Sequence, residues 1–520
     1  MNRLIVPSSR WWPVLRWAGL AAAGASLWAC TSRTLEIPTV SSSVTEQWSV
    51  TQKINNNLDL LFMVDNSSSM TAMQQKLLLQ LPHFLGFLQT LQIKPNLHIA
   101  VVSSDMGAQS DVNIMCTLRG NQGEFFSQPE GTCATTLTAG DTFISDVDGV
   151  ANFTDPIASV FQCISLLGSS GCGFEHQLAS IDRALGADGL GPPPSQNTGF
   201  LRPDAYLGIV MLTNEDDCSA PADTTIYSLN GSPQSITNPD GPIDNYRCNG
   251  GPRGGHLCKD LNAGSPNTGS ATPPLDPPQD ATGNPQVLQL ADCKDNDSGS
   301  SALIPVSKFV SDIKALKPEP DNQILVGEII GPAAPYAVEW APTATPSGTS
   351  ENWPQVMHSC GAAGEDDVNP EPSTQTVGDG SFGDPGVRET QFANAFSNSI
   401  IGSICDGDYS QSMNQIAAKL GQFFAPPCID SVIQKNAQGN PDCSVIENLT
   451  DASGNQTQVA LQNCKENQNT PPCWTLVPGT NGCTGQSLQV NDSGANMMAA
   501  SENSAITCSL CRPGVAGPGC

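Results

Sequence analysis

Apolar residues in this chain gather in short runs that alternate with longer periodic stretches. Leu58-Asp59-Leu60-Leu61-Phe62-Met63-Val64 is a largely unbroken apolar run, the pattern of a strand buried on both faces of a parallel sheet. It stops at Asp65-Asn66-Ser67-Ser68-Ser69-Met70. Met73, Leu77, Leu81, Phe84, Leu85 and Leu88 then recur at helical spacing to about Leu91, and Pro82 predicts a kink or break on the way. Further strands are expected at Leu97 to Val102, Ala205 to Leu212 and Ile324 to Ile330, and further helices at Phe174 to Leu185, Leu303 to Leu316 and Tyr409 to Phe424. Strands alternating with helices predict an α/β fold, a doubly wound and mostly parallel sheet flanked by helices.

Three stretches break the alternation, near 107–170, 218–300 and 331–388. They are rich in Gly, Pro, Asn, Ser and Asp and hold many of the cysteines, so they are expected to be irregular insertions pinned by disulfides. The span 425–520 has eight cysteines, no helical period and short candidate strands at Thr457 to Leu461 and Ser487 to Val490. It reads as a small Cys-rich β or irregular module. The expected organisation is therefore 1–29 as a signal segment, 30–57 as a polar tether, 58–424 as the α/β domain with its insertions, and 425–520 as the C-terminal module.

Composition narrows the function classes. Charged residues make up only 14%, and Gly (48) with Pro (41) demand much loop, which excludes a long coiled coil. With 22 Lys and Arg against 50 Asp and Glu the net charge is −28, a field that repels phosphate backbones, so no nucleic acid is expected as a partner. Cations, or proteins that tolerate an acidic surface, remain. Catalysis has little support: the five histidines (His83, His98, His176, His256, His358) are scattered, and no zinc-protease helix, serine elbow or phosphate loop is present. No enzymatic activity is expected.

Residues 1–29 hold Arg3, Arg10 and Arg16, no acid, and an apolar run from Trp17 to Ala29, which is the form of a secretory signal and short for a membrane span. Leu27-Trp28-Ala29-Cys30 resembles the bacterial lipobox, which implies lipidation of Cys30 and a membrane contact through that anchor. The cysteine count agrees: of 19, one on lipid leaves 18 for disulfides. Spacing points to local pairs such as Cys116 with Cys133, Cys163 with Cys172 and Cys464 with Cys473. Cys508-Ser-Leu-Cys511 reads as disulfide chemistry, because no second such pair and no nearby His would complete a zinc site.

Asp65, Ser67 and Ser69 lie directly after an apolar strand and before a helix, at the carboxyl end of the predicted sheet where open α/β folds bind ligands. One carboxylate and two hydroxyls there suit a hard divalent cation, Mg²⁺, Ca²⁺ or Mn²⁺. The run Leu-Asp-Leu-Leu-Phe-Met-Val-Asp-Asn-Ser-Ser-Ser-Met resembles the metal-ion-dependent adhesion site of von Willebrand factor type A domains. The resemblance implies two more ligand loops. In the first, Gly168-Ser169-Ser170-Gly171-Cys172-Gly173-Phe174-Glu175-His176 lacks the usual Thr and offers Glu175 instead. In the second, Leu212-Thr213-Asn214-Glu215-Asp216-Asp217-Cys218 puts Asn214 where the family carries Asp, so the contact falls to Asn214 or to Asp216. Asp65 with Glu175 would neutralise a divalent ion, with Glu215, Asp216 and Asp217 adding negative potential, which implies a firmly held metal and weak use of an acidic partner.

Taken together, lipobox, type A domain and Cys-rich tail resemble surface lipoproteins of myxobacteria-like delta-proteobacteria. This implies a lipid-anchored protein at the outer membrane or cell surface of a Gram-negative cell, since Thr31 is not the Asp that retains lipoproteins at the inner membrane. Two functions follow as expectations: adhesion to a protein or surface polymer through the metal site, or a structural, disulfide-rich envelope role in which the metal only orders loops. Asp292-Cys293-Lys294-Asp295-Asn296-Asp297-Ser298-Gly299 resembles a calcium loop but lacks the closing Glu, and Asp406-Gly407-Asp408 reads as a turn and helix cap.

Overall fold

The structure is a computed structural model, and it describes residues 43–46, 56–91, 94–108, 116–127, 137–228, 240–241, 245–261, 270–277, 287–344, 350–361, 381–424, 428–429, 431–450, 456–478, 485–491, 497–499, 504–511 and 519–520. The expected signal segment, Cys30 and Cys133 lie outside the described residues. Two compact units are present: one of residues 48–431 and 443–507, the other of 1–47, 432–442 and 508–520.

The larger unit is built on a seven-stranded sheet. Its strands are β1 (Asn57–Val64), β2 (Asn96–Ser103), β3 (Ile144–Val147), β4 (Val150–Ala151), β5 (Tyr206–Leu212), β6 (Ile324–Ile330) and β7 (Ser399–Ser403), in the spatial order β7-β6-β5-β1-β2-β3-β4. The five from β7 to β2 are parallel, and β3 and β4 add antiparallel at one edge. Six helices matter here: α1 (Thr71–Thr90), α2 (Ile157–Ile164), α3 (Gln177–Leu185), α4 (Val306–Ala315), α5 (Val387–Asn394) and α6 (Ser410–Phe423).

The unbroken apolar runs are explained by burial from both sides. In β1, Leu58, Leu60, Phe62 and Val64 pack under α1, α2 and α6, while Leu61 and Met63 pack under α3, α4 and α5. Two separate cores therefore sandwich the sheet, so a period-two pattern that would mark a one-sided strand never arises. Phe62 sits edge-on to Phe84 (5.8 Å) and Phe161 (4.8 Å), tying α1 and α2 to the central strand. The chain moves from β1 to β2 on one side and returns through β5 on the other, so the strand order reverses between β1 and β5. A crevice at the carboxyl ends of those two strands is where such sheets hold ligands.

Three expectations need correction. Pro82 does not interrupt its helix: α1 runs through it to Thr90. Proline removes the N–H that would reach the Leu78 carbonyl, and the Gln162 side chain of α2 donates to that carbonyl instead (2.7 Å). The insertions are not wholly irregular, for their described residues include regular strands. Strands at His256–Asp260, Ser270–Ala271, Leu288–Asp295, Tyr336–Ala344 and Ser350–Val356 form a five-stranded antiparallel sheet whose inner face carries Leu288, Leu290, Tyr336, Val338 and Val356. Short alternations such as Leu288-Gln289-Leu290 are enough for a half-buried strand once a partner supplies the other half of the ladder. The 107–170 stretch likewise yields β3, β4 and α2.

The third correction concerns cysteines. Cys116 pairs with Cys172, not with Cys133, and so Cys163 and Cys172 are not partners; Cys464 does pair with Cys473. Cys218–Cys248, Cys258–Cys293, Cys360–Cys405 and Cys511–Cys520 are also bridged. Proximity in sequence misleads here because folding brings Cys116 to the loop at Cys172, 56 residues on, and a bridge needs Cα atoms within a few ångströms.

Toward the C-terminus, strands at Cys443–Thr450, Gln456–Asn463, Cys473–Pro478, Gln486–Asn491 and Met497–Ala499 pair within the larger unit around a buried Trp474. Both candidate strands from the sequence lie inside these. In the smaller unit, Ser43–Glu46 pairs antiparallel with residues 508–511, and Ile433 bridges to Leu510.

Candidate functional site at the carboxyl end of the sheet

The β1 strand ends at Val64, and the Asp65 N–H still donates to the Leu212 carbonyl of β5 (2.9 Å), which fixes Asp65 at the crevice. Its carboxylate is fully buried and accepts three bonds: Oδ1 from the Ser67 N–H (2.8 Å) and the Ser104 hydroxyl (3.0 Å), Oδ2 from the Thr213 hydroxyl (2.8 Å). Burial pushes the Asp65 carboxyl up from its ordinary value, and these bonds pull against that. The turn after Asp65 then folds so that the Ser67 and Ser69 hydroxyls lie 3.2 Å apart, and the Ser69 hydroxyl donates to Asn214 Oδ1 (3.1 Å). Asp65, Ser67, Ser69 and Asn214 are thereby brought into one oxygen cluster.

Gln74 on α1 holds the floor of this turn, donating to the carbonyls of Asp65 (2.7 Å) and Gly168 (2.8 Å). The second loop approaches closely: the Gly171 N–H donates to the Asn66 carbonyl (2.8 Å), and a Cβ at Gly171 would fall within 2.2 Å of Asn66 Oδ1, so only glycine fits. The Cys116–Cys172 bridge pins that loop. Gln177, at the start of α3, spans the second and third loops by donating to the Thr213 hydroxyl and the Glu215 carbonyl (2.9 Å each).

Glu175 is buried in this crevice, and its Oε1 has no hydrogen-bond partner among the described residues. Burial raises its carboxyl well above the ordinary range, with the charges of Glu215 and Asp65 adding to the rise. Glu215 is pushed up to about 8, by burial first and then by Asp384 and Asp65, while its contact with the Glu175 carboxyl pulls it down. Two carboxyls that touch beside a third share a proton unless a cation neutralises them. Buried acceptors without donors near Asp65 among the described residues are Asn66 Oδ1, Glu175 Oε1 and Gln177 Oε1, and a hard cation satisfies such oxygens. No group of three or more His, Cys, Asp or Glu side chains among the described residues is arranged to hold a metal ion. The donors that do converge are one carboxylate, two hydroxyls and an amide oxygen, a set that fits a hard cation rather than a soft one.

Asp216 is turned away from the cluster. It accepts the Arg388 N–H (2.9 Å) and contacts His256 Nε2, whose Nδ1 lies 2.9 Å from the Tyr336 hydroxyl. Burial pushes Asp216 up, but the Glu389 carboxyl, His256 and Arg388 outweigh it and hold it below its ordinary value. Glu389 is correspondingly raised well above the ordinary range, by burial first and then by the neighbouring Asp216 charge. The fully buried Arg388 guanidinium bonds Asp217, Asp295 and the Ile304 carbonyl. Asp295 is thus committed to Arg388 and to the Val306 N–H (2.9 Å), and the calcium-loop resemblance of 292–299 gives no cation cage. His176, next to Glu175, is buried against the Tyr227 ring (5.0 Å), and burial drops its imidazole to about 3, so it stays neutral. Asp408 accepts the Ser410 N–H (2.8 Å) at the start of α6, as a cap.

Ser104, Thr213 and Gln177 were not singled out from the sequence. Each stands beside a strand end or helix start, and only register across the sheet brings them to Asp65. The Thr213 position, immediately after the apolar run of β5, is the one local signal that could have pointed to it.

No protein-family profile matches the chain, and no curated protein matches it. Among solved structures, the pilus adhesin SpaC from Lactobacillus rhamnosus GG, in its open conformation, aligns at 10% identity over 88% of this chain and 39% of its own, with a TM-score of 0.26. The pilus adhesin RrgA from Streptococcus pneumoniae aligns at 10% identity over 90% of this chain and 57% of its own, with a TM-score of 0.19. The chain spans less than two thirds of either adhesin. Superpositions this loose carry no argument about fold or function. Among the described residues no helix is long and apolar enough to cross a membrane.

Proposed function

We propose that the chain is an exported, lipid-anchored surface protein whose α/β domain is of the von Willebrand factor type A kind and binds a protein or surface polymer through a divalent cation. The observation that carries this reading is the convergence of Asp65, Ser67, Ser69 and Asn214 oxygens at the switch point of the parallel sheet, with the buried Asn66 Oδ1 and Glu175 Oε1 lacking donors beside them. When bound, Mg²⁺, Ca²⁺ or Mn²⁺ supplies a positive centre to which a partner's oxygen can attach. Asp65, Ser67 and Ser69 would hold it, with Asn214 and Glu175 from the two other loops. Thr213, Ser104 and Gln177 orient those donors. The six disulfides among the described residues support an oxidising compartment, and the anchor rests on Cys30.

Calorimetry on the purified chain with each of the three cations tests the site. Asp65→Ala is expected to abolish binding; retained affinity in that variant would remove the site from Asp65. A second reading, an envelope component whose metal only orders loops, is favoured by the depth of the cluster, since Asp65 and Asn214 are fully buried. Chelator then lowers the melting temperature without releasing any bound cell-surface partner, whereas the adhesive reading requires both effects.

A further inference from the structure

A hollow lies at the β3 edge of the sheet, away from the Asp65 crevice. Phe143 leads into β3, whose Ile144 pairs with Ile99, well before β2 ends at Ser103. At about 3.3 Å per residue, that sets the hollow roughly 13 Å along the strand from the carboxyl end. Its volume is about 340 Å³, and it is lined by Asp141, Thr142 and Phe143 from one segment and by Ser195, Gln196 and Thr198 from another. Both segments are held in place. Asn197, buried in the second, donates to the carbonyls of Gly123 (2.7 Å) and Ala184 (3.0 Å) and accepts the Phe125 N–H (3.1 Å). The Thr142 hydroxyl donates to the Gln196 carbonyl and so joins the two segments. Asn152 donates to Asp141 Oδ2 (3.0 Å) and to the Phe143 carbonyl (2.9 Å), and Gln196 Nε2 donates to Glu124 Oε2 (3.0 Å). The Phe143 ring is half-buried, and ring contacts with His98 (5.0 Å), Phe200 (5.5 Å) and Phe125 (6.3 Å) fix it.

We propose that this hollow binds a neutral sugar ring of a surface polysaccharide, without a cation. A pyranose carries C–H groups on its faces and hydroxyls around its rim. The half-buried Phe143 ring offers an apolar surface to the face. The Asp141 oxygen that Asn152 leaves free, the Gln196 amide oxygen and the exposed Ser195 and Thr198 hydroxyls offer acceptors and donors to the rim. The volume stands at the lower end of the about 300–1,000 Å³ that small-molecule sites occupy, which suits a monosaccharide or disaccharide. Charge and polarity set other ligands aside. No Lys or Arg lines the hollow, and Asp141 with Glu124 beside Gln196 repels a uronic acid or a phosphate. A hydrocarbon would cover the carboxylate and the hydroxyls without bonding them. An ammonium group would meet Asp141 and the ring but leave the Ser195 and Thr198 hydroxyls unused. The hollow is separate from the Asp65 cluster and does not depend on a cation there.

The test is saturation-transfer NMR titration of the full chain with the methyl glycosides of glucose, galactose, mannose and N-acetylglucosamine, with methyl glucuronide and tetramethylammonium as charged probes, each with and without EDTA. At least one neutral glycoside is expected to bind in the millimolar range, equally in EDTA. Asp141→Ala and the double variant Ser195→Ala with Thr198→Val change exposed positions, and each is expected to lose about tenfold or more in affinity for that glycoside. Phe143→Leu, which keeps apolar bulk but removes the ring, is expected to lose as much; if its melting temperature falls, the exposed variants decide. Absence of transfer from every neutral glycoside, wild-type affinity in both exposed variants, or preference for the glucuronide or for tetramethylammonium would each overturn the proposal. Loss of sugar binding in EDTA would also overturn it, by placing the sugar at the cation cluster instead.

Discussion

Arg388 offers the sharpest test of how this fold is held together. Its guanidinium is fully buried and makes four bonds: Nε and one terminal nitrogen to Asp217 Oδ2 (3.2 and 3.1 Å), that same nitrogen to the Ile304 carbonyl (2.6 Å), and the other nitrogen to Asp295 Oδ1. Taken singly, charge-assisted bonds at about 1.5–3 kcal/mol each would sum to roughly 6–12 kcal/mol. The desolvation of a buried guanidinium and two carboxylates consumes much of that, and removal of one partner from a buried pair costs about 3–5 kcal/mol. Arg388→Met is expected to lose that amount, because Asp217 and Asp295 are left charged in the core or must take up protons. Asp217 Oδ1 also accepts the Leu178 N–H (2.9 Å) at the first turn of α3, so the helix that presents Gln177 is loosened as well. Urea unfolding of Arg388→Met, Asp217→Asn and the double variant gives the coupling directly, expected at about 2 kcal/mol or more. A loss under about 1 kcal/mol, or strict additivity in the cycle, would refute the energetic coupling of Arg388 with Asp217. Arg388→Lys should recover little, since one ammonium cannot reproduce the fork.

Asp182 on α3 is pushed up to about 8, by burial first and then by Asp312, and its Oδ1 has no partner among the described residues. A carboxyl raised in the folded state stabilises it fully below the ordinary pKa and loses that contribution as pH climbs through about 8. Wild type should therefore lose about 2–3 kcal/mol between pH 6 and 9 from this group, and Asp182→Asn should flatten that slope; equal slopes in denaturant titrations would contradict the assignment. The Cys116–Cys172 bridge closes a separation of 56 residues, worth about 4 kcal/mol by loop entropy and less where other bridges already constrain the unfolded chain. Replacing both cysteines with Ser should lower the denaturation midpoint and speed exchange of the Gly171 amide, whose bond to Asn66 the bridge protects; unchanged exchange would show that the loop holds itself.

Local pattern was enough for the framework. The runs at 58–64, 97–102, 205–212 and 324–330 are largely apolar on both faces, and they are strands because only a two-sided core buries such a run. Edge strand β7, Ser-Ile-Ile-Gly-Ser, was not legible, since a half-covered edge asks for no unbroken apolar run. Nor was the antiparallel sheet in the insertions, where Leu288–Asp295 finds its partner Tyr336–Ala344 only beyond α4 and β6. At the site, Asp65, Ser67 and Ser69 were readable because they share one turn, and their spacing alone brings them together.

Everything across the sheet belonged to the fold. Thr213 reaches Asp65 because β5 runs parallel to β1 in a register that pairs Leu212 with Val64. Asp216 leaves the crevice because a buried Arg388, 172 residues away, and His256 draw it to the other side of its loop. Cys116 finds Cys172 because the fold returns the chain, 56 residues on, to the loop whose Gly171 bonds Asn66. Sequence fixes what a residue can do through its neighbours within a turn or two. Which distant groups neutralise a buried charge, accept a bond or close a bridge depends on strand order and register, and these are settled only when the whole core packs.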